Sequence, residues 1–431
     1  MDRRNGYLGE IAFFFYAALI VRLAAIWQFG PTAIRFGDAP DYLSAAASLC
    51  STGSYPDRSS LPFFRAPGLP FFIAAATLCH TNAVWVVKIA LASTGALAVV
   101  IMFLLAEDLF RDRRASLLAA GTAAVYPFFV VQSCDIQTEA PFMLLLLAAI
   151  RLTLKAGRTG SRPPIFLGGL CAGLAALVRP IGLVLLLLLP LQILMLETAR
   201  VRGQVRSLLL LWAGAASCLA PWVIRNEFRF HELILVNDAG GYNFWRGTSP
   251  EMAAISRIDD AEAFTKASEQ FEKAITPAIA RKINQYATTP GSRSRNWFKR
   301  AFQNLAKDPA GFMARLLRNA WVYWRPWLNP VTSSRAVVAL SGLMVTALYS
   351  FGLHGWTLLR QRDSRMALWC LISTLAFWIL QTPFQVVTRF RIPITDPFLI
   401  VFAAASVSAF LPRHRPPYDR GRLTRLGIRK P

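Results

Sequence analysis

Arg35-Phe36-Gly37-Asp38-Ala39-Pro40-Asp41-Tyr42 follows the first long apolar run of the chain, and its reading decides the rest. Two carboxylates three residues apart sit where an apolar helix ends and the chain meets water. Further on, Phe63-Phe64-Arg65-Ala66-Pro67-Gly68-Leu69-Pro70 sets a cation ahead of a breaker-rich start to another apolar segment. Acids and an arginine at a membrane surface suit a phosphate-bearing lipid substrate. The plainer reading is a polar loop in which Asp38 or Asp41 caps the helix that Tyr42 begins.

The 431 residues are 55% hydrophobic and only 16% charged, and apolar runs of spanning length recur from end to end. This composition predicts an all-α polytopic membrane protein rather than a soluble one. The net charge of +23 would suggest nucleic acid in a soluble chain. Here the excess falls in loops suited to anionic headgroups, no nucleic-acid motif accompanies it, and the bilayer is the expected partner. The six cysteines form no zinc pattern and no disulfide framework, and the four histidines do not cluster. Cys50 and Cys79 fall on one side of the expected topology, so a bridge between them stays open. The first run carries Arg22 and no small-residue cleavage site, which reads as a retained helix.

Ten spans are expected, at about 7–29, 83–105, 115–131, 140–154, 165–178, 181–196, 208–223, 336–359, 366–380 and 394–411. The segment Pro67–Cys79 is too short to cross about 30 Å of hydrocarbon, and counting it would put Arg111-Asp112-Arg113-Arg114 outside. It is read as an interfacial or re-entrant helix on the side of Asp38. The loops at Arg111–Arg114, at Lys155, Arg158 and Arg162, at Arg200, Arg202 and Arg206, and at Arg360–Arg365 are then all basic and inward. Residues 1–224 make an N-terminal catalytic module whose first outer loop is 30–82. Residues 225–335 make an outer, α-rich segment, with an amphipathic helix from about Asp260 to Tyr286 capped by Asp259 or Asp260. Trp321-Val322-Tyr323-Trp324-Arg325-Pro326-Trp327 reads as an aromatic belt, residues 336–411 as the last spans, and 412–431 as a basic inner tail.

On this topology one face collects Asp38, Asp41, Tyr42, Arg65, Asp135, Glu139, Arg179, Arg225, Tyr242, Asn243, Arg246, Arg389 and Arg391. Ionisable groups at membrane depth are costly and usually serve a site or a pair. Asp38 and Glu139 form a candidate carboxylate pair for general-base work or for a divalent cation such as Mg or Mn. Arg65, Arg179, Arg389 and Arg391 are candidates to hold a phosphate, against the alternative that each snorkels to headgroups.

The order of these pieces resembles the polytopic GT-C glycosyltransferases that use polyprenyl-phosphate sugars. These include the protein O-mannosyltransferases, the lipid A aminoarabinose transferases and bacterial oligosaccharide-modifying relatives. The matching stretches are Gly37-Asp38-Ala39-Pro40-Asp41-Tyr42-Leu43, Phe64-Arg65-Ala66-Pro67-Gly68-Leu69-Pro70, Thr138-Glu139-Ala140 and Leu177-Val178-Arg179-Pro180-Ile181-Gly182. Ala220-Pro221-Trp222-Val223-Ile224-Arg225-Asn226, Gly240-Gly241-Tyr242-Asn243-Phe244 and Arg389-Phe390-Arg391-Ile392-Pro393 complete the set. The resemblance implies a GT-C-like fold and a polyprenyl-phosphate sugar donor. It also implies an envelope acceptor (lipid, polysaccharide or protein), Asp38 as base and Glu139 as the second acid, with Asp135 its substitute. Ala39 departs from the adjacent Asp-Glu of the protein O-mannosyltransferases. A bacterial inner-membrane enzyme working at the periplasmic face, with both termini cytoplasmic, is the expected protein. The rival readings are a polyprenyl-linked sugar or lipid transporter and a glycan ligase or polymerase. The absence of an internal repeat and the gathering of charge at one face favour the enzyme.

Overall fold

The computed structural model describes residues 2–57, 63–196, 201–255, 257–258, 261–331, 333–384 and 388–412, and among them it is helical with no strand. Arg200, Asp259, Asp260 and the basic tail from Arg413 lie outside the described residues. The first half of the chain runs through α1 (Asp2–Phe29), α2 (Ala39–Thr52), α3 (Gly68–Ala76), α4 (Val84–Phe110), α5 (Arg113–Val125), α6 (Pro127–Ser133) and α7 (Glu139–Thr159). Then come α8 (Pro163–Val178), a 3-10 turn at Pro180–Val184, α9 (Leu185–Leu196) and α10 (Val201–Phe230). The middle is α11 (Gly240–Thr248), α12 (Pro250–Ile255), α13 (Ala261–Gln270), a π turn at Phe271–Ile275, α14 (Thr276–Ile283), α15 (Pro290–Lys307) and α16 (Pro309–Trp324). α17 (Arg335–Arg362), α18 (Ser364–Gln381), a 3-10 turn at Thr388–Arg391 and α19 (Thr395–Phe410) complete the described order.

Among the described residues six helices are long and apolar enough to cross a membrane: α1 from Tyr7, α4, α7, α10, α17 and α18. The pair α5 and α6 adds a seventh if its two halves are one span, and α8, the stretch Pro180–Leu196 and α19 are shorter apolar helices. The run expected as one helix over 115–131 is therefore bent, by 54°. Pro127 has no N–H to give and pushes Tyr126 to extended backbone (φ −62°, ψ 114°), which breaks the ladder. Arg22 of α1, fully buried, repairs the break. Its Nη1 donates to Ala124 O at 3.1 Å, before the bend, and its Nε to Ser133 Oγ at 2.9 Å, after it. Gly95 of α4 is needed beside it, since a Cβ there would meet both Ser133 and the Arg22 guanidinium.

One core runs through α1, α4, α5, α7, α8, α9 and α17 to α19. α8 and α10 touch backbone to backbone: a Cβ on Gly169 or Gly214 would strike a carbonyl of the partner helix, and Gly169 and Gly173 stand four apart on the contact. Small residues at such a crossing let two apolar helices approach without a hydrophobic drive between them. A second, aromatic core lies in the middle segment around Tyr242, Trp245, Phe271 and Trp297. The amphipathic helix expected over 260–286 is here α13 and α14, joined by the π turn and ending at Ile283.

The first loop is tied down at several points. Lys88 of α4, buried, donates to Gly30 O at 3.0 Å and to Ala33 O, and Asp135 accepts from Arg35 N at 3.2 Å. α3, nine residues long, packs between α2 and the end of α8. Cys50 at the end of α2 is bonded to Cys79 just past α3. Spacing alone called for no framework, because one isolated pair 29 residues apart leaves no pattern to read. The remaining cysteines are free. In native membranes, Cys50 and Cys79 should take up no maleimide until a reductant is added and one label each afterwards, by peptide mass mapping. Labelling of both without reductant would contradict the bond.

Candidate active site

α2 starts at Ala39 with Asp38 in the N-cap position, yet the Asp38 side chain makes no cap hydrogen bond. It turns instead to Arg65, whose Nη2 donates to Asp38 Oδ1 at 3.0 Å while its Nε donates to Asp41 Oδ2 at 2.9 Å. The capping reading is thereby set aside in favour of an acid–arginine–acid clamp. Arg65 is held from behind, with Tyr55 Oη donating to its carbonyl at 2.9 Å and the neighbouring Phe64 N–H donating to Asp238 Oδ1 at 2.9 Å. Its guanidinium also lies over the rings of Tyr42 and Phe63.

From Asp38 the chain of charge continues. Arg389, on the 3-10 turn before α19, faces Asp38 Oδ2 at 3.6 Å and Glu139 Oε1 at 3.5 Å. Glu139, in the first turn of α7 and 3% exposed, accepts from Arg179 Nη1 at 2.6 Å. Arg179 ends α8 in extended backbone (φ −142°, ψ 125°), the conformation that the following Pro180 favours. Asp41, Arg65, Asp38, Arg389, Glu139 and Arg179 thus alternate in sign along one line, drawn from five separate stretches of sequence. Burial alone would raise the Asp38 carboxyl, but Arg65 and then Arg389 outweigh it and hold the group below the usual carboxylate range. Behind the clamp, burial pushes Asp238 up to about 6 against the Phe64 N–H and Arg293, which favour its ionised form.

This line forms the floor of a cavity of about 680 Å³. Asp38, Tyr42, Arg65, Glu139, Arg179, Asn243 and Arg389 all line it, and so do Gln137, Asn237, Arg246 and Gln381. Asp41 reaches the site through Arg65. Leu183, Val184 and Leu187, with Leu380 and Phe384, make one side apolar, and Leu187 is 73% exposed, so this side opens outward from the bundle. The amides Gln137, Asn237 and Gln381 were missed because no charge, glycine or aromatic marks them in the sequence.

Four expected site residues lie elsewhere. Tyr242 is fully buried in the aromatic core, its ring centroid 5.4 Å from Phe63 and 5.2 Å from Trp297. Arg225 faces Asp57 at 3.5 Å and donates to Tyr55 O at 2.8 Å, bracing the first loop. Arg391, fully buried, donates to Asp396 and, at 2.6 Å, to Tyr349 Oη, so it anchors the turn that carries Arg389. Alternate residues of that turn point opposite ways, which the repeated arginines of Arg389-Phe390-Arg391 concealed. Asp135 is buried on the Arg35 and Ile136 amides rather than on the cavity. As for a metal, no three His, Cys, Asp or Glu side chains converge among the described residues. The Arg389 guanidinium faces both Asp38 and Glu139 in this arrangement, where a bridging cation would otherwise sit.

The Asp38 shift fixes a pH window. A carboxyl depressed on folding adds stability above its unfolded pKa of about 3.9, and that stability is lost only as pH falls through the lower folded value. The difference in melting temperature between wild type and Asp38→Asn should therefore stay constant from pH 7 to pH 5. A difference that shrinks within that window would contradict the clamp.

Residues 64–224 match the family model for dolichyl-phosphate-mannose-protein mannosyltransferase. No curated protein matches the chain in sequence. Among solved structures it is similar to the oligosaccharyltransferase AglB from Archaeoglobus fulgidus in complex with an inhibitory peptide and a dolichol-phosphate. The identity is 16%, the TM-score 0.57, and the alignment covers 100% of this chain and 53% of that one. The apo form of the Archaeoglobus fulgidus oligosaccharyltransferase aligns at 15% identity and TM-score 0.56, over 94% of this chain and 50% of that one. The chain thus spans about half the length of these two structures. The resemblance read from the ordered motifs holds at the level of architecture: this is a multi-pass helical protein with the GT-C glycosyltransferase fold.

Proposed function

We propose that this chain is a membrane glycosyltransferase that moves one sugar from a polyprenyl-phosphate donor to a hydroxyl of an envelope acceptor. The observation that carries the reading is the alternating acid–arginine line on the floor of a cavity with one apolar side. A polyprenyl tail suits the side of Leu183, Leu187 and Leu380, and its phosphate suits Arg179 and Arg389, with Arg65 next in line. The dolichol-phosphate held by AglB is consistent with a ligand of that kind.

In the step we propose, the acceptor oxygen forms a bond to the anomeric carbon as the bond from that carbon to the phosphate oxygen breaks. The acceptor proton passes to Asp38, and the phosphate departs with the bonding pair, its charge met by the arginines. Before the donor arrives Asp38 is a weak base, because two guanidiniums stabilise its ionised form. A phosphate that draws Arg389 away would raise its proton affinity as the substrate binds. Arginines here take the part that a divalent cation would otherwise fill, which leaves Glu139 to hold Arg179 and Arg389 in place.

We further infer ten spans in all, counting the bent pair and the three shorter apolar helices, with the termini cytoplasmic and the site on the periplasmic face of a bacterial inner membrane. The Cys50–Cys79 bond in the same loop as Asp38 supports that side, since such bonds persist in oxidising compartments.

In liposomes with a panel of polyprenyl-phosphate sugars, wild type should consume at least one donor. Asp38→Asn should lower the rate by about 10²–10⁴. Arg389→Ala should weaken both donor use and affinity for the bare polyprenyl phosphate. Normal turnover in Asp38→Asn would remove the base. Donor that crosses the bilayer unconsumed, equally in all three proteins, would favour a transporter.

A further inference from the structure

Gln137 lines the cavity among charged and amide side chains. It lies in the loop between α6 and α7, two residues before Glu139, and it is 3% exposed. Among the described residues neither Oε1 nor Nε2 has a hydrogen-bond partner. Leaving both ends of a buried carboxamide unsatisfied is costly, and such groups are nearly always paired in folded proteins. The chemistry of the missing partner follows from what surrounds it. The arginines can only donate and the ionised carboxylates only accept, whereas a carboxamide does both. A phosphate group offers acceptors alone and a prenyl tail offers neither. A sugar offers hydroxyls, each both donor and acceptor, and adjacent hydroxyls can meet the two ends of one amide.

We propose that Gln137 is a specificity-determining residue that reads a hydroxyl, or an adjacent pair, of the sugar being transferred. The proposal rests on the glycosyltransferase reading. Asn237 and Asn243 line the same cavity from the middle segment and extend a neutral, hydrogen-bonding wall beyond the charged floor. The phosphate and the base would then be held by ions, and the sugar between them by amides.

The test uses full-length protein in liposomes, wild type beside Gln137→Leu and Gln137→Met. The probes are undecaprenyl-phosphate mannose, glucose and galactose, their monodeoxy analogues, and undecaprenyl phosphate without a sugar. No group among the described residues bonds to the amide, so both variants should fold and, ligand-free, melt no lower than wild type. For the donor that wild type prefers, kcat/KM should fall about 10- to 100-fold in the variants. For one deoxy analogue of that donor, wild type and variants should react at nearly the same rate. Bare undecaprenyl phosphate should raise the melting temperature of all three equally. The proposal is overturned if the variants melt several degrees lower, if donor and every deoxy analogue lose rate together, or if no rate changes. In that last case wild-type turnover of a donor keeps the glycosyltransferase reading standing. If wild type consumes none of the donors, that reading fails first and this inference falls with it.

Discussion

A carboxylate or guanidinium at the edge of an apolar bundle must find a counter-charge or be drawn out to water. That constraint organises this molecule. Three acids and three arginines alternate from Asp41 to Arg179, and each link joins elements far apart in sequence: α2 to the Arg65 loop, the Arg65 loop through Asp38 to the turn before α19, that turn to α7, and α7 to α8. Removing one member leaves its neighbours as uncompensated charge at a half-buried site, which is worse than removing a pair. The line therefore fixes where four helix ends meet, and the cavity is the space above it.

The helices below are arranged to allow this meeting. α5 and α6 bend at Pro127, so the chain reaches Ile136 and Glu139 at the cavity wall, and Arg22 with Ser133 satisfies the backbone that the bend exposes. Backbone contact at Gly169 and Gly214 brings α10 close against α8, whose last residue position feeds Arg179. Behind Arg389, the buried Arg391–Asp396 pair is completed by Tyr126 Oη on Asp396 at 3.0 Å, so the residue next to Pro127 also helps to fix the turn before α19. A single irregular point in one helix thus supports both sides of the site.

The sequence made the architecture legible because a membrane leaves few choices: long apolar runs must be helices, and arginine-rich loops mark one side. Asp38, Arg65, Glu139, Arg179 and Arg389 were legible for a related reason, being charges retained where charge is expensive. What was hidden followed different physics. Tyr242 and Arg391 look like surface-facing polar residues in a one-dimensional reading, but the aromatic core and the Asp396 pair absorb them. The bend at Pro127 sits inside a run of unbroken hydrophobicity, and only the geometry of a residue before proline reveals it. Gln137 escaped because an amide carries no charge, and its isolation is a fact of three-dimensional surroundings.

The same neutralisation that builds the site also limits it at rest. With Asp38 clasped by Arg65 and facing Arg389, the carboxylate most exposed to the cavity, at 40% of its side-chain surface, is a poor proton acceptor. The arginines, being paired, are not bare cations that would trap any passing anion. A ligand that brings two negative oxygens and a hydroxyl together can exchange partners along the whole line at once: phosphate for carboxylate on Arg389, and hydroxyl for guanidinium on Asp38. On the proposed reading a phosphate alone replaces the carboxylates on Arg389, and the hydroxyl then completes the exchange at Asp38. The alternation of sign serves recognition as well as stability on that reading, because a donor phosphate and an acceptor hydroxyl would each meet a partner already set in the line.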